Sequence, residues 1–179
     1  MGAEQPAGKT QPMFSSCSIV IFVAAIVIVA SILWPRHPDR EKARQVSCIS
    51  NEKQLALGLL AYAKDYDDRL PIGADWAAAT MPFGRLDSSV YRCPDDENPK
   101  RVAGLAGLSY AMPERLGFEK LKDCAHPKDA VLVFDSDVVP LGFPGSAAFR
   151  HAEGANFAFT DGHAKWLRPE RVDQLMGGK

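Results

Sequence analysis

The feature that most restricts this chain is the apolar run over residues 17–34, CSIVIFVAAIVIVASILW, set in a stretch with no charged residue between Lys9 and Arg36. As a helix, 18 residues rising about 1.5 Å each reach roughly 27 Å, close to the roughly 30 Å hydrocarbon core of a bilayer. Lipid requires that backbone polar groups be satisfied within the segment, and a helix does this. The expectation is therefore a transmembrane helix over residues 17–34, preceded by a polar, disordered tail over residues 1–16. A cleaved signal peptide fits less well, because Glu4 offsets Lys9 and the exit reads SILWPR rather than small-x-small. A lipid anchor at Cys17 fits worse, since the apolar segment follows that cysteine instead of preceding it.

The 144 residues after Pro35 are enough for one domain with its own core. Twenty-one basic and 22 acidic residues are mixed along the chain, so no basic face points to nucleic acid. No P-loop, dinucleotide fingerprint or Ser-His-Asp spacing occurs, which leaves nucleotide binding and nucleophilic catalysis without support. Orientation is contested. Arg36, Arg40, Lys42 and Arg44 flank the apolar run on its C-terminal side against Lys9 before it, an asymmetry that places the large domain in the cytoplasm. Cys48, Cys93 and Cys124 lack metal-type spacing, and in an exported domain two of them could pair.

In chain order, Pro35 and Pro38 tend to end or kink the apolar helix, and Asp39 is a candidate N-cap. From Asp39 to Asp67 only Gly58 weakens a helix, and Leu55, Leu59, Tyr62 and Tyr66 form one apolar stripe with Glu52, Lys53, Lys64 and Asp65 elsewhere. An amphipathic helix over 39–67 follows. Residues 71–123 are rich in turn formers and read as irregular, with one or two short helices. Residues 130–136, AVLVFDS, read as a buried strand. Residues 156–167, NFAFTDGHAKWL, read as a hairpin turning on Asp161-Gly162. A two-residue loop sets Thr160 against His163 and Phe157 against Trp166, with Phe157, Phe159, Ala164 and Trp166 on one face packed against the long helix. Pro169 opens a short terminal helix reaching Met176.

One cluster invites a chemical reading: His151, Asp161 and His163 with Asp135 and Asp137. His and Asp donors can bind a divalent cation, and a hydrolase could use that cation to activate water. Structural roles outweigh this, because Asp161 serves the turn, His163 sits on the hairpin's polar face and Asp135 ends a strand. The expectation is no catalytic residue, no metal site and no cofactor, with these five residues as the alternative metal ligands. The acidic run Asp65, Asp67, Asp68 lacks the glycine of a calcium loop and reads as a solvated helix end. Cys93-Pro94 with Asp95, Asp96 and Glu97 reads as a turn.

Arg44, Ser47-Cys48, Ser50-Asn51, Lys53-Gln54, Gly58, Tyr62, Asp65-Tyr66 and Leu70-Pro71 follow the apolar run, and His151 stands nine residues before Asp161-Gly162. Together these resemble the bacterial prepilin-type processing-associated group of pilin-like proteins, which carry a His-x9-Asp-Gly motif. The resemblance covers residues 17–167. It implies an α+β, pilin-like fold: one long N-terminal helix, half in the membrane and half amphipathic, packed on a small antiparallel sheet. It implies a single-pass protein of the bacterial cytoplasmic membrane with the C-terminal domain outside, acting without catalysis in an envelope or type II secretion-like assembly. Partners would be the membrane and other envelope or pilin-like proteins, met through the anchor helix. In that setting Cys48 and Cys93 are the expected disulfide, with Cys124 as alternative partner. The family's Gly-Phe-Thr-Leu-Ile-Glu-like peptidase site is replaced here by MFSSCSIVIF, which has no Glu. The alternative function is a membrane-tethered metal-binding or metal-dependent hydrolase domain.

Overall fold

A computed structural model describes residues 16–33, 37–71, 73–84, 86–102, 104–114, 116 and 120–177. The chain divides into two compact units, Met1–His37 and Pro38–Lys179.

The first unit contains α1 (Ser16–Leu33). Its large apolar side chains from Ile19 to Ile32 are 52–75% exposed. Among the described residues no helix is long and apolar enough to cross a membrane; the side chains of α1 are described only over residues 18–32. The predicted tail, apart from the already helical Ser16, and Trp34 lie outside the described residues.

The second unit is built on α2 (His37–Asp65), a 29-residue helix roughly 43 Å long. It starts two residues earlier than expected. Asp39 lies inside the first turn rather than capping it, because Pro38 is tolerated where its missing N–H would have no partner anyway. The helix ends where Asp67 and Asp68 take left-handed backbone angles (φ 55° and 62°) and the Asp68 N–H returns to the Ala63 carbonyl at 2.8 Å.

The buried face of α2 runs through Cys48, Glu52, Leu55, Ala56, Leu59 and Ala63. This corrects the predicted stripe at both ends. Glu52, assigned to the polar side, is wholly buried, and Tyr66 is half exposed, stacking on Tyr62 (4.1 Å, 6°) while both meet the edge of Phe83.

The region read as irregular contains a short helix α3 (Trp76–Thr80) and three strands: β1 (Lys100–Val102), β2 (Leu105–Leu108) and β3 (Tyr110–Pro113). Four more follow: β4 (Val131–Asp135), β5 (Leu141–Gly142), β6 (Ala155–Phe159) and β7 (Ala164–Leu167). The terminal helix α4 spans Pro169–Gly177. β1 and β2 pair with each other, and the other five form one sheet in the order β5-β3-β4-β6-β7. The fold is α+β as expected, but β3 and β5 run parallel, so the sheet is mixed rather than antiparallel.

The hairpin exists with a different register. Ala158 pairs with Ala164, Phe157 with Lys165 and Asn156 with Trp166, and the loop is three residues, Thr160 to Gly162. Gly162 alone takes the positive φ (86°), closing a turn in which its N–H bonds to the Phe159 carbonyl at 2.9 Å. A one-residue slip moves side chains to the opposite face. Here it puts Ala164 and Trp166 on the face opposite Phe157 and Phe159, which join Phe134, Ala155, Leu167 and Val172 of α4 in one core cluster. The cluster containing Leu55 and Leu59 of α2 instead takes Ala158, Val133, Tyr110 and Met112, with Ala164 packed against it. The expected packing of Phe157 and Phe159 on α2 is wrong: Ala158, on the other face of β6, meets α2, and the two phenylalanines pack with Val172 of α4. The sheet still lies on α2, through Tyr110, Met112, Val133 and Ala158.

A candidate functional site: the buried polar cluster at His151

Cross-strand pairing puts Tyr110 opposite Asp135, and Asp135 lies beside Asn156, whose backbone N–H donates to Asp135 Oδ2 at 2.9 Å. This polar row faces the level of α2 that carries Cys48 and Glu52. Cys48 is joined to Cys93 with Cα atoms 5.1 Å apart, which ties the helix to the loop after a 3-10 turn at Ser88–Tyr91. The bridge agrees with the expected pairing; closing a loop of about 45 residues contributes about 2–4 kcal/mol. Among the described residues Cys124 is the free cysteine, 3.7 Å from Thr160 Oγ1.

His151 enters from the other side. Its backbone forms a bridge with Gly154, with N–H···O distances of 3.0 and 2.9 Å, around Ala152 and Glu153 at φ 48° and 63°. The Trp166 indole covers this turn, donating to the His151 carbonyl at 2.7 Å. A Cβ on Gly154 would lie 2.3 Å from the indole, so only glycine fits. The imidazole is fully buried. Its Nδ1 lies 3.0 Å from Asp95 Oδ2, close enough for an ion pair but without straight hydrogen-bond alignment. Its Nε2 lies 3.3 Å from Asp135 Oδ2 and 3.4 Å from Cys93 Sγ.

Arg150 balances the acids. Its guanidinium is 3.3 Å from Asp96 and 2.5 Å from Asp137, while Arg44 pairs with Asp95. Glu52 sits deeper, and neither of its oxygens has a well-formed hydrogen bond. Burial, then the Asp135 charge, holds its carboxyl well above the ordinary range; Arg150 and the Asp135 backbone N–H oppose this without reversing it. Burial, and then Glu52 and Asp135, also push the Tyr110 hydroxyl up.

The five predicted metal ligands thus separate. Asp135 and His151 meet, and Asp137 reaches them through Arg150. Asp161 and His163 pair with each other at 2.5 Å at the hairpin tip, where His163 stacks on Phe159. Burial would raise the Asp161 carboxyl, but hydrogen bonds from the His163 backbone and ring, and its charge, leave it lowered. The tip and the His151 cluster flank opposite ends of β6, a strand about 13 Å long. The His-x9-Asp-Gly spacing has a physical reading: nine residues span the Ala152–Glu153 turn, Gly154, β6 and Thr160. Glu52, Asp95, Arg150 and Asn156 were missed as site residues. Glu52 was legible in principle, four residues after Cys48 and three before Leu55, on the face both occupy.

The family described as "Protein of unknown function (DUF1559)" matches residues 38–85, which hold α2 and α3. No curated protein and no solved structure matches the chain.

Proposed function

We propose that this is a membrane-anchored, non-enzymatic, pilin-like protein whose disulfide-tied domain faces outward from the bacterial cytoplasmic membrane and takes part in an envelope or secretion assembly. The carrying observation is α1: an uncharged helix with every large side chain from Ile19 to Ile32 at least half exposed. Such a surface is costly in water and at home in lipid, where other apolar helices can pack on it. The Cys48–Cys93 bridge supports an oxidising compartment against the basic flank at Arg36 to Arg44. His-x9-Asp-Gly, read as a strut that joins turn, strand and buried histidine, supports a structural role for the motif and a place in the prepilin-type group.

The test uses the full chain in a bacterial host. It should resist alkaline carbonate extraction, be digested by protease added to spheroplasts, and change gel mobility on reduction. Release into the carbonate supernatant would remove the anchor, and protection in intact spheroplasts would reverse the orientation.

A further inference from the structure

We propose that, when the Cys48–Cys93 bridge is reduced, the two sulfurs, His151 Nε2 and Asp135 Oδ2 form a tetrahedral Zn2+ site. Disulfide and zinc would then be alternative closures of one joint between α2, the Cys93 loop, β4 and the His151 turn. The two sulfurs and a ring nitrogen of His151 already lie within 4.8 Å of one another, all in buried residues. A tetrahedron with Zn–S of about 2.3 Å and Zn–N and Zn–O of about 2.0–2.1 Å separates S from N by about 3.6 Å and N from O by about 3.4 Å. The observed separations from Nε2 are 3.4 Å to Cys93 Sγ and 3.3 Å to Asp135 Oδ2. The sulfurs must part, which breaking their bond permits, and the Asp135 carboxylate, which lies outside the 4.8 Å group, must close on them.

The surroundings are those of a metal site. Asp95 stands 3.0 Å from His151 Nδ1, where a carboxylate orients a ligating imidazole, and the Asn156 N–H fixes Asp135 Oδ2. Asp135 Oδ1 is buried with no hydrogen-bond partner. An open cavity of about 520 Å³, lined by Asp95, Asp96, Glu97 and Asp137 together with Lys100 and Arg150, adjoins the carboxylate that touches His151. Four protein ligands and no open position make the site structural rather than catalytic.

The steps balance. A dithiol breaks the S–S bond by exchange, giving up its two protons and two electrons to leave two thiols while it is itself oxidised to a disulfide; Zn2+ then forms two Zn–S bonds and releases two protons. A low-molecular-weight disulfide reverses this: its S–S bond breaks, it leaves as two thiols with two protons taken up, the Cys48–Cys93 bond re-forms and Zn2+ departs.

The full chain in detergent, reduced without oxygen and freed of metal, should bind Co2+ stoichiometrically with a thiolate-to-cobalt charge-transfer band, and Zn2+ should displace it. The oxidised chain should show no such band, and adding oxidised glutathione to the zinc form should release the ion to a chromogenic chelator. Cys48→Ser, Cys93→Ser and His151→Gln should each abolish the band, whereas Asp95→Asn should weaken affinity about 10–100-fold. His163→Ala should leave binding unchanged. Circular dichroism reports folding in each case. A reduced chain that gives no band would overturn the proposal, whether it stays folded or unfolds and is not refolded by Zn2+. So would a band that survives Cys93→Ser.

Discussion

Glu52 makes the stability of the second unit fall as pH rises. Its folded-state pKa lies well above the ordinary 4.5, so between those values the folded protein keeps a proton that the unfolded chain has released. Stability from this group is full below about 4.5 and is lost as pH climbs towards the folded value. Glu52→Gln keeps the shape and removes the titration. The gain in urea midpoint over the parent should grow with pH above about 4.5, and an equal gain at every pH would refute the account. At Gly154 the constraint is steric. Gly154→Ala drives a methyl into the Trp166 indole and should cost about 1–3 kcal/mol, read as a lower midpoint and altered tryptophan fluorescence. Single residues were unevenly legible in sequence. Asp161-Gly162 as a turn follows from local chemistry, whereas Asn156 beside Asp135 depends on a strand pairing that no local pattern fixes.

The hairpin shows where local patterns stop. Asp-Gly located the turn, but a three-residue loop with one left-handed glycine competes closely with a two-residue loop, and the choice decides whether Trp166 shares a face with Phe157 and Phe159. The strand at 131–135 and the helices were legible from composition and periodicity. β1, β2 and β3 were not, because they have three or four residues each, with Pro99 before them, Gly104 and Gly107 among them and Pro113 at their end. The turn at Ala152 and Glu153 is open to improvement. Both residues hold positive φ with exposed side chains, a conformation that Asn and Gly adopt at lower cost. Ala152→Asn with Glu153→Gly should raise stability by about 0.5–1 kcal/mol. Thermal denaturation should show the rise, and a fall would mean that the side chains contribute to holding His151.

At the scale of the whole molecule, the proposed function requires the two units to answer to different solvents, α1 to lipid and the second unit to water. Eleven Ile, Val, Leu and Phe residues in α1, each worth about −0.3 to −0.6 kcal/mol on insertion, sum to about −5 kcal/mol. One lysine near the middle costs about 3 kcal/mol and leaves insertion favourable, while two reverse it. Val23→Lys alone should therefore remain in the membrane pellet after carbonate extraction, and Val23→Lys with Val27→Lys should not. Neither change alters a residue of the second unit's core, whose apolar clusters, among the described residues, are built from residues 48–172. Its urea transition, followed by the fluorescence of Trp76 and Trp166, should stay where it was. If the double variant stayed in the pellet with the single one, retention would rest on the 38–179 unit or on a partner it binds, and α1 would have to be assigned a protein contact instead of a lipid one.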